Sequence, residues 1–572
     1  PLFLQELVRA ATRGGLAELP ESVEAVVAAG IDTLALADRD LLRHAAVLGG
    51  QFPVSVLAGM LESDLDSVLA GVDRLTHFVG RREDGTVRFR HILLRDVAYE
   101  GLAFRVRRRL HERAGNILER SSAQPEAIAE LLSIHFHLAA RFDASWRYAR
   151  VAAERARHNG ASVEAAAFYE RALEAGAQLP GVRNEELSVL AEGLGDACEL
   201  SGRYAQSGAA YLRARRLAGA DPARTALLCR KLGYLRDHEG RYGSAQRWFR
   251  RGLADLDDVG DQAEAARLWA ELTTAAVSSR IRLGRYGKTR PMIEAAIAAA
   301  ERSGDRAALA HAYFVLDQLL VDQGRYTEAR HSERAAAIYE ELGDDRGAAA
   351  AYNEVGTTAY WLGRWDDAVA SYERAIEADR RAGALVYIAI YLNNIGEIRS
   401  DQGRWVEARG LLEEAHDLWT SGGWRIGSAW ASSNLGRLAA RDGRLDDAAG
   451  HLARAAATLA DIGAEAMLLE TDAREMERLV LAGDHGAALA VADPLAERAR
   501  RLGVANVGVL VQRVAGYAWA QAGFPEAAWE QLEECLAGSR KSEAEYEAAL
   551  TLEAMARVGR MLDRPGLDLI ES

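Results

Sequence analysis

Few residue groupings in this 572-residue chain have the types and spacing that chemistry needs. Gly287-Lys288-Thr289 has the ending of a phosphate-binding loop, but that loop requires a glycine where Arg282 stands and a strand before it. There is no His-Glu-x-x-His, no Cys-x-x-Cys and no Gly-x-Ser-x-Gly, the spacings that seat a zinc ion or raise a serine nucleophile. Cys198, Cys229 and Cys535 are odd in number and widely separated, which argues against a disulfide framework or a zinc site. Arg105, Arg107, Arg108, Arg109 and Arg113 could meet phosphate, yet Glu100, Glu112 and Glu119 interleave with them, so a solvated or interdomain helix face is expected. The acidic residues fall at helical spacing along faces expected to be solvated. Carboxamides recur at one regular spacing as Asn353, Asn393 with Asn394, and Asn434, with Ser433 beside the last. A carboxamide both donates and accepts hydrogen bonds. No catalytic or metal-ligating residue emerges, and no cofactor is expected on these residues.

The elements that position such groups follow from composition and period. Hydrophobic content of 49%, 27% charge, only 10 prolines and an excess of Ala, Leu, Arg and Glu favour a folded, helical chain of several domains or a repeat array. A net charge of −14 argues against nucleic-acid binding, which needs a basic face. No apolar run reaches membrane-spanning length and no signal peptide opens the chain, so a cytoplasmic protein is expected. Only Lys231, Lys288 and Lys541 among the basic residues are lysines, a bias of GC-rich bacterial sequences. Because the first residue is Pro1, a longer parent protein is expected.

Gly-Arg-aromatic recurs at Gly202-Arg203-Tyr204, Gly240, Gly284, Gly324, Gly363-Arg364-Trp365 and Gly403-Arg404-Trp405, with degenerate copies at Gly443, Gly483 and Gly523. From Gly363 onward the step between copies is constant. Seven positions before the turn glycine another glycine recurs, at Gly195, Gly233, Gly356, Gly396, Gly436 and Gly516, and small residues such as Ala368 and Ala375 follow the turn. Small side chains let two antiparallel helices approach, and the turn glycine can take the left-handed conformation that ends a helix. Links such as Ser303-Gly304-Asp305 are read as longer and as closing each unit. Trp365 and Trp405 are expected in the core, and for Trp424, after Gly422-Gly423, plain packing is favoured over an exposed aromatic contact for a partner. This pattern resembles the tetratricopeptide family in its long form, as found in kinesin light chains. The resemblance implies stacked helix pairs with a concave groove that takes a protein, a peptide or another domain. In kinesin light chains a similar Asn-Asn pair lines the groove and bonds a peptide backbone. Carried over, Asn353 and Asn393 take the first place, Ser433 a shorter substitute, and Asn394 and Asn434 the second. The same amides could instead bridge adjacent helices.

The chain before residue 150 differs. Leu34 to Leu61 reads as helices, with Asp38 capping one from Leu41 to Leu48, and Glu83-Asp84-Gly85 between alternating segments marks a β-hairpin. Helices, one hairpin and a further helix look like a winged-helix domain. Pro1-Leu2-Phe3-Leu4-Gln5-Glu6-Leu7 resembles the close of the nucleotide-binding core of signal-transducing AAA-related ATPases. Phe89-Arg90-His91-Ile92-Leu93-Leu94-Arg95-Asp96 and Leu132-Ser133-Ile134-His135-Phe136 are similar to the segments that follow it in bacterial proteins carrying an adenylate/guanylate cyclase domain.

The expected fold is therefore mainly α, a right-handed superhelix of about ten helix pairs after a small winged helix. Residues 1–17 are assigned to the end of an ATPase core, 18–120 to the winged helix, 121–160 to a helical junction and 161–572 to the superhelix. The resemblance implies ATP or ADP in an upstream domain, a role for His91 in sensing the bound diphosphate, and the protein's own ATPase core as an alternative partner to a peptide. Its function would be regulatory and non-catalytic, controlling a nucleotide cyclase. The large LuxR-type transcription activators share a related layout, and a free-standing scaffold is the remaining alternative.

Overall fold

The computed structural model describes residues 22–564 except 258–262, 284 and 542–544. The segment likened to the end of an ATPase core lies outside the described residues. The chain divides into two compact units, 1–235 and 236–572. Among the described residues there are 28 α-helices and three short strands, and no helix is long and apolar enough to cross a membrane.

In the first unit the expected hairpin is present. Strands β2 (Val79–Arg81) and β3 (Thr86–Phe89) pair antiparallel, with Val79 opposite Phe89 and Arg81 opposite Val87. Gly85 takes φ +76°, and Asp84 accepts hydrogen bonds from the Thr86 amide at 2.9 Å and hydroxyl at 2.6 Å. A third strand, β1 (Gln51–Pro53), lies on the other side of β3 within a stretch read as helical. Gly49 at φ +103° ends the preceding helix there, and Pro53 holds extended backbone. Asp38 does not cap a helix. The helix begins at Leu36, and the Asp38 carboxylate accepts from Arg74 Nη2 at 2.7 Å. Leu42, Leu57, Val87, Leu94 and Ala98 form the centre of this unit's core.

From residue 345 the second unit is built of helices nearly uniform in length, from Asp345–Trp361 and Trp365–Ala382 through to Glu545–Met561. A positive-φ glycine falls at even intervals, at Gly363, Gly383, Gly403, Gly423, Gly443, Gly463, Gly483, Gly503 and Gly523. The links between units are thus no longer than the turns within them. Any other residue at such a position costs about 1–2 kcal/mol. The glycine inside each first helix marks a close approach: a methyl group on Gly356 would lie 2.6 Å from Tyr372, and one on Gly436 2.7 Å from Leu452. Trp419 is fully buried, whereas Trp405 is 40% exposed, contrary to the core position expected of it; Trp424 is 37% exposed.

Two earlier repeats break this pattern. Val277 and Asp317 stand where the first-helix glycine belongs, and in both repeats the second helix starts late. It starts at Thr289 in one, after Lys288 in the left-handed region, and at Ser332 in the other, after a 3₁₀ turn at Tyr326–Glu328. A side chain in place of hydrogen excludes the opposing first turn. Asp317 then satisfies the amides left without helical partners: its Oδ2 accepts from the His331 and Ser332 backbone N–H at 2.7 and 2.6 Å, and its Oδ1 pairs with His331 Nδ1 at 2.9 Å. The missing turns leave a cavity of about 640 Å³ lined by Tyr326, Arg330, Ser332, Thr358 and Arg374, among others. Met476 also replaces the glycine, but Ala492 stands where Leu412 and Leu452 stand in other repeats, and both belong to one apolar cluster. That second helix starts on time, at His485.

Candidate recognition face

The constant period carries one helical position from each first helix to the next, so residues one period apart form a stripe. In the second unit these helices include Arg306–Asp322, Asp345–Trp361, Leu385–Asp401, Arg425–Arg441, Glu465–Leu481 and Ala505–Gln521. Arg474 Nη2 reaches Glu397 Oε1 at 3.3 Å, past the Arg425–Arg441 helix that separates their own helices in sequence. One side chain spans that gap only where the first helices converge, so this stripe is the concave side of the second unit. Tyr546, in the last helix Glu545–Met561, extends the convergence: its ring stands edge-on to Trp365 with centroids 4.9 Å apart, and 6.5 Å from Tyr360.

All five polar candidates lie in this stripe. Asn394 Nδ2 donates to Asn353 Oδ1 at 3.3 Å, and Asn434 Nδ2 to Asn393 Oδ1 at 3.0 Å. Ser433 bonds the Thr471 hydroxyl at 3.0 Å and accepts from Arg474 Nη1 at 3.1 Å. Asn393, Ser433 and Asn434 are 0, 2 and 3% exposed, while Asn353 and Asn394 are half-buried. Their contacts are bridges between successive first helices.

Charge continues the stripe, which sequence reading assigned to solvated faces. Arg437 pairs with Glu397 at 3.1 Å and with Asp401 at 3.0 Å. Arg441 pairs with Asp401 at 2.6 Å and Glu477 at 3.0 Å, and Arg513 with Glu547 at 3.1 Å. Burial opposes ionisation of Glu477, but Arg441, Arg437 and Arg513 overcome it and hold the group at about 2. Burial wins at Glu397, raised despite Arg474 and Arg437. The signal was present as charged residues at matching positions in consecutive repeats; without knowledge of curvature they look like surface residues.

In the first unit, His91 is the N-cap of the Ile92–Glu100 helix, its Nδ1 accepting from the Leu93 amide at 3.2 Å, with the residue exposed. The arginine run is partly tied to the backbone: Arg107 donates to Leu102 O at 2.8 Å, Arg108 to Ala139 O at 3.1 Å, and Arg113 pairs with Glu62 at 3.4 Å. Sequence reading assigned no role to a buried cluster here. His111 and His135 face each other through Nδ1 at 3.0 Å, and the Tyr99 hydroxyl meets His111 Nε2 at 2.9 Å. Burial, then the neighbouring His135 and arginines, holds His111 down to about 3; burial and Arg95 hold His135 at about 4.

Among solved structures, the chain is similar to a signal-transduction ATPase with numerous domains and a tetratricopeptide repeat sensor from Pyrococcus horikoshii. The match has 10% identity and a TM-score of 0.40, over 80% of this chain and 66% of that one. It is also similar to a Rap protein complexed with competence and sporulation factor (12% identity, TM-score 0.42, 66% of this chain and 99% of that one). A third similarity is to aspartyl phosphate phosphatase F from Bacillus subtilis (10%, 0.40, 70% and 95%). No curated protein matches. Residues 387–461 match the family model of the tetratricopeptide repeat.

Proposed function

We propose that this chain is a regulatory sensor that captures an extended peptide or protein segment on the concave side of its repeats and has no catalysis of its own. The polar stripe along the concave side carries the reading: an extended peptide exposes alternating donors and acceptors, and the part-exposed members Asn353, Asn394 and Arg441, held in place by their buried neighbours, can meet both. Within this proposal, residues 18–120 form a winged helix between the repeats at 161–572 and an upstream nucleotide-binding core in a cytoplasmic bacterial protein. His91, as an exposed helix cap, is available to that core's diphosphate. Asn353 and Asn394, half-buried at the start of the stripe, are the amides most accessible to a peptide. The output would be a nucleotide cyclase, on sequence resemblance. Capture must favour one conformation over another to transmit anything.

Fluorescent random-hexapeptide pools test the first step by anisotropy. Binding that weakens in Arg441→Ala is expected; a folded chain that binds no pool overturns the reading. For the wider assignment, peptide should switch ATP turnover and cyclic-nucleotide synthesis in the full-length protein.

A further inference from the structure

Glu354 is the exception on the concave stripe. Residues 354, 394, 434 and 474 are equivalent, and the last three each bond the preceding first helix: Asn394 to Asn353, Asn434 to Asn393, and Arg474 to Ser433. For Glu354 the residue in the place of Asn353 is Phe314, which can neither donate nor accept through its side chain. Elsewhere on the stripe each buried carboxylate has a guanidinium. Glu397 has Arg437 and Arg474, Asp401 has Arg437 and Arg441, Glu477 has Arg441, and Glu547 has Arg513. Glu354 is only 7% exposed, and no cation pairs with it among the described residues.

Its neighbours make the deficit larger. The Arg306–Asp322 helix presents Asp317 and Asp322, and both act on Glu354 with like charge. Asp317 already accepts from His331 and Ser332, and as a carboxylate with no proton to donate it repels an ionised Glu354. The Trp365–Ala382 helix presents the Tyr372 hydroxyl, and the Leu385–Asp401 helix presents Asn394 and Glu397, the latter already paired. Glu397, Asp401, Glu477 and Glu547 are each compensated by a guanidinium; Glu354, among the described residues, is not.

We propose that Glu354 is a counter-ion site completed by the partner: an extended peptide places a lysine or arginine side chain beside it, against the Arg306–Asp322 helix. This deepens the peptide-binding reading of the concave face and rests on it. Burial, Asp317 and Asp322 together push the free Glu354 carboxyl up to about 8. At neutral pH the free chain therefore holds a proton that the incoming cation expels, so binding releases a proton and strengthens as pH rises toward 8.

The test uses hexapeptide pools, acetylated and amidated so that the termini carry no charge, with one central position fixed as Lys, Arg, norleucine or Glu. Anisotropy is read for the whole chain and for Glu354→Gln, below and above pH 8, with a melting curve to verify folding of the variant. The Lys and Arg pools should bind about tenfold more tightly than the norleucine pool, a ratio that corresponds to one modest charge pair. That preference should grow with pH and vanish in Glu354→Gln, which still binds norleucine. Equal binding of all pools, or a cation preference that survives the substitution, overturns the inference while leaving peptide capture intact. Binding by no pool overturns capture itself, and the inference with it.

Discussion

The repeats from residue 345 onward and the two repeats before them are built from the same sequence period yet differ in how closely the two helices of a pair can approach. Where a glycine faces the second helix, that helix starts just after the turn, as at Trp365, Trp405 and Leu445. Where Val277 or Asp317 faces it, the helix starts at Thr289 or Ser332, late by up to two turns. Hydrogen against side chain decides between a uniform stack and a locally unwound one, unless a small residue opposite makes room, as Ala492 does for Met476. The uniform region also carries the ion-paired part of the concave stripe, because only a regular repeat brings charges one period apart onto one line.

The largest effect should come from removing a charge that joins several repeats. Arg437 compensates both Glu397 and Asp401, so Arg437→Ala leaves each carboxylate with a single guanidinium, Arg474 or Arg441, and should cost about 3 kcal/mol in urea unfolding. The acid limb should change as well. Glu477 titrates at about 2 when folded against 4.5 ordinarily. Its stabilisation is therefore present above pH 4.5 and lost as pH falls toward 2, and Arg437→Ala should shrink that loss.

In the unwound region the corresponding weak point is Asp317. Asp317→Ala strands the buried amides of His331 and Ser332 and should cost about 2–3 kcal/mol. Hydrogen exchange should localise the damage to Ser332–Leu342. A loss spread evenly over all the repeats would show that the late start is not held by this carboxylate.

A milder pair sharpens the role of the first-helix glycine. Gly436→Ala puts a methyl group 2.7 Å from Leu452 and should destabilise by about 1–2 kcal/mol, net of the helix propensity gained. Gly410, within a helix and with nothing within 4 Å of its added methyl, should instead gain about 0.5–1 kcal/mol on the same change. Equal effects at the two sites would remove close approach as the reason for the glycine.

Much of this was legible from sequence because glycine is nearly alone in tolerating positive φ, so turns at Gly363 and Gly403 announce themselves, as does the hairpin at Asp84-Gly85. The strand Gln51–Pro53 was not, since so short a segment carries no readable alternation. Asp38 looked like a cap, but its partner Arg74 is 36 residues away. The amides at Asn353, Asn393 and Asn394 were found by position; that Asn393 is buried depends on how neighbouring helices converge, which no single repeat encodes. The late helix start was visible in principle, because Asp317 and Val277 interrupt the glycine series.

The smallest expected effect concerns the closing contact between Tyr546 and the hinge at Trp365. Its rings stand edge-on, a geometry worth about 1 kcal/mol beyond the area buried. Among the described residues the Glu545–Met561 helix packs chiefly against Pro525–Lys541, so Tyr546→Ala should barely move the global melting temperature. It should instead raise hydrogen exchange in Glu545–Met561 and leave Leu385–Asp401 protected. Were protection lost along Leu385–Asp401 too, the curvature of the uniform region would depend on this contact across five repeats, and not on packing between neighbours alone.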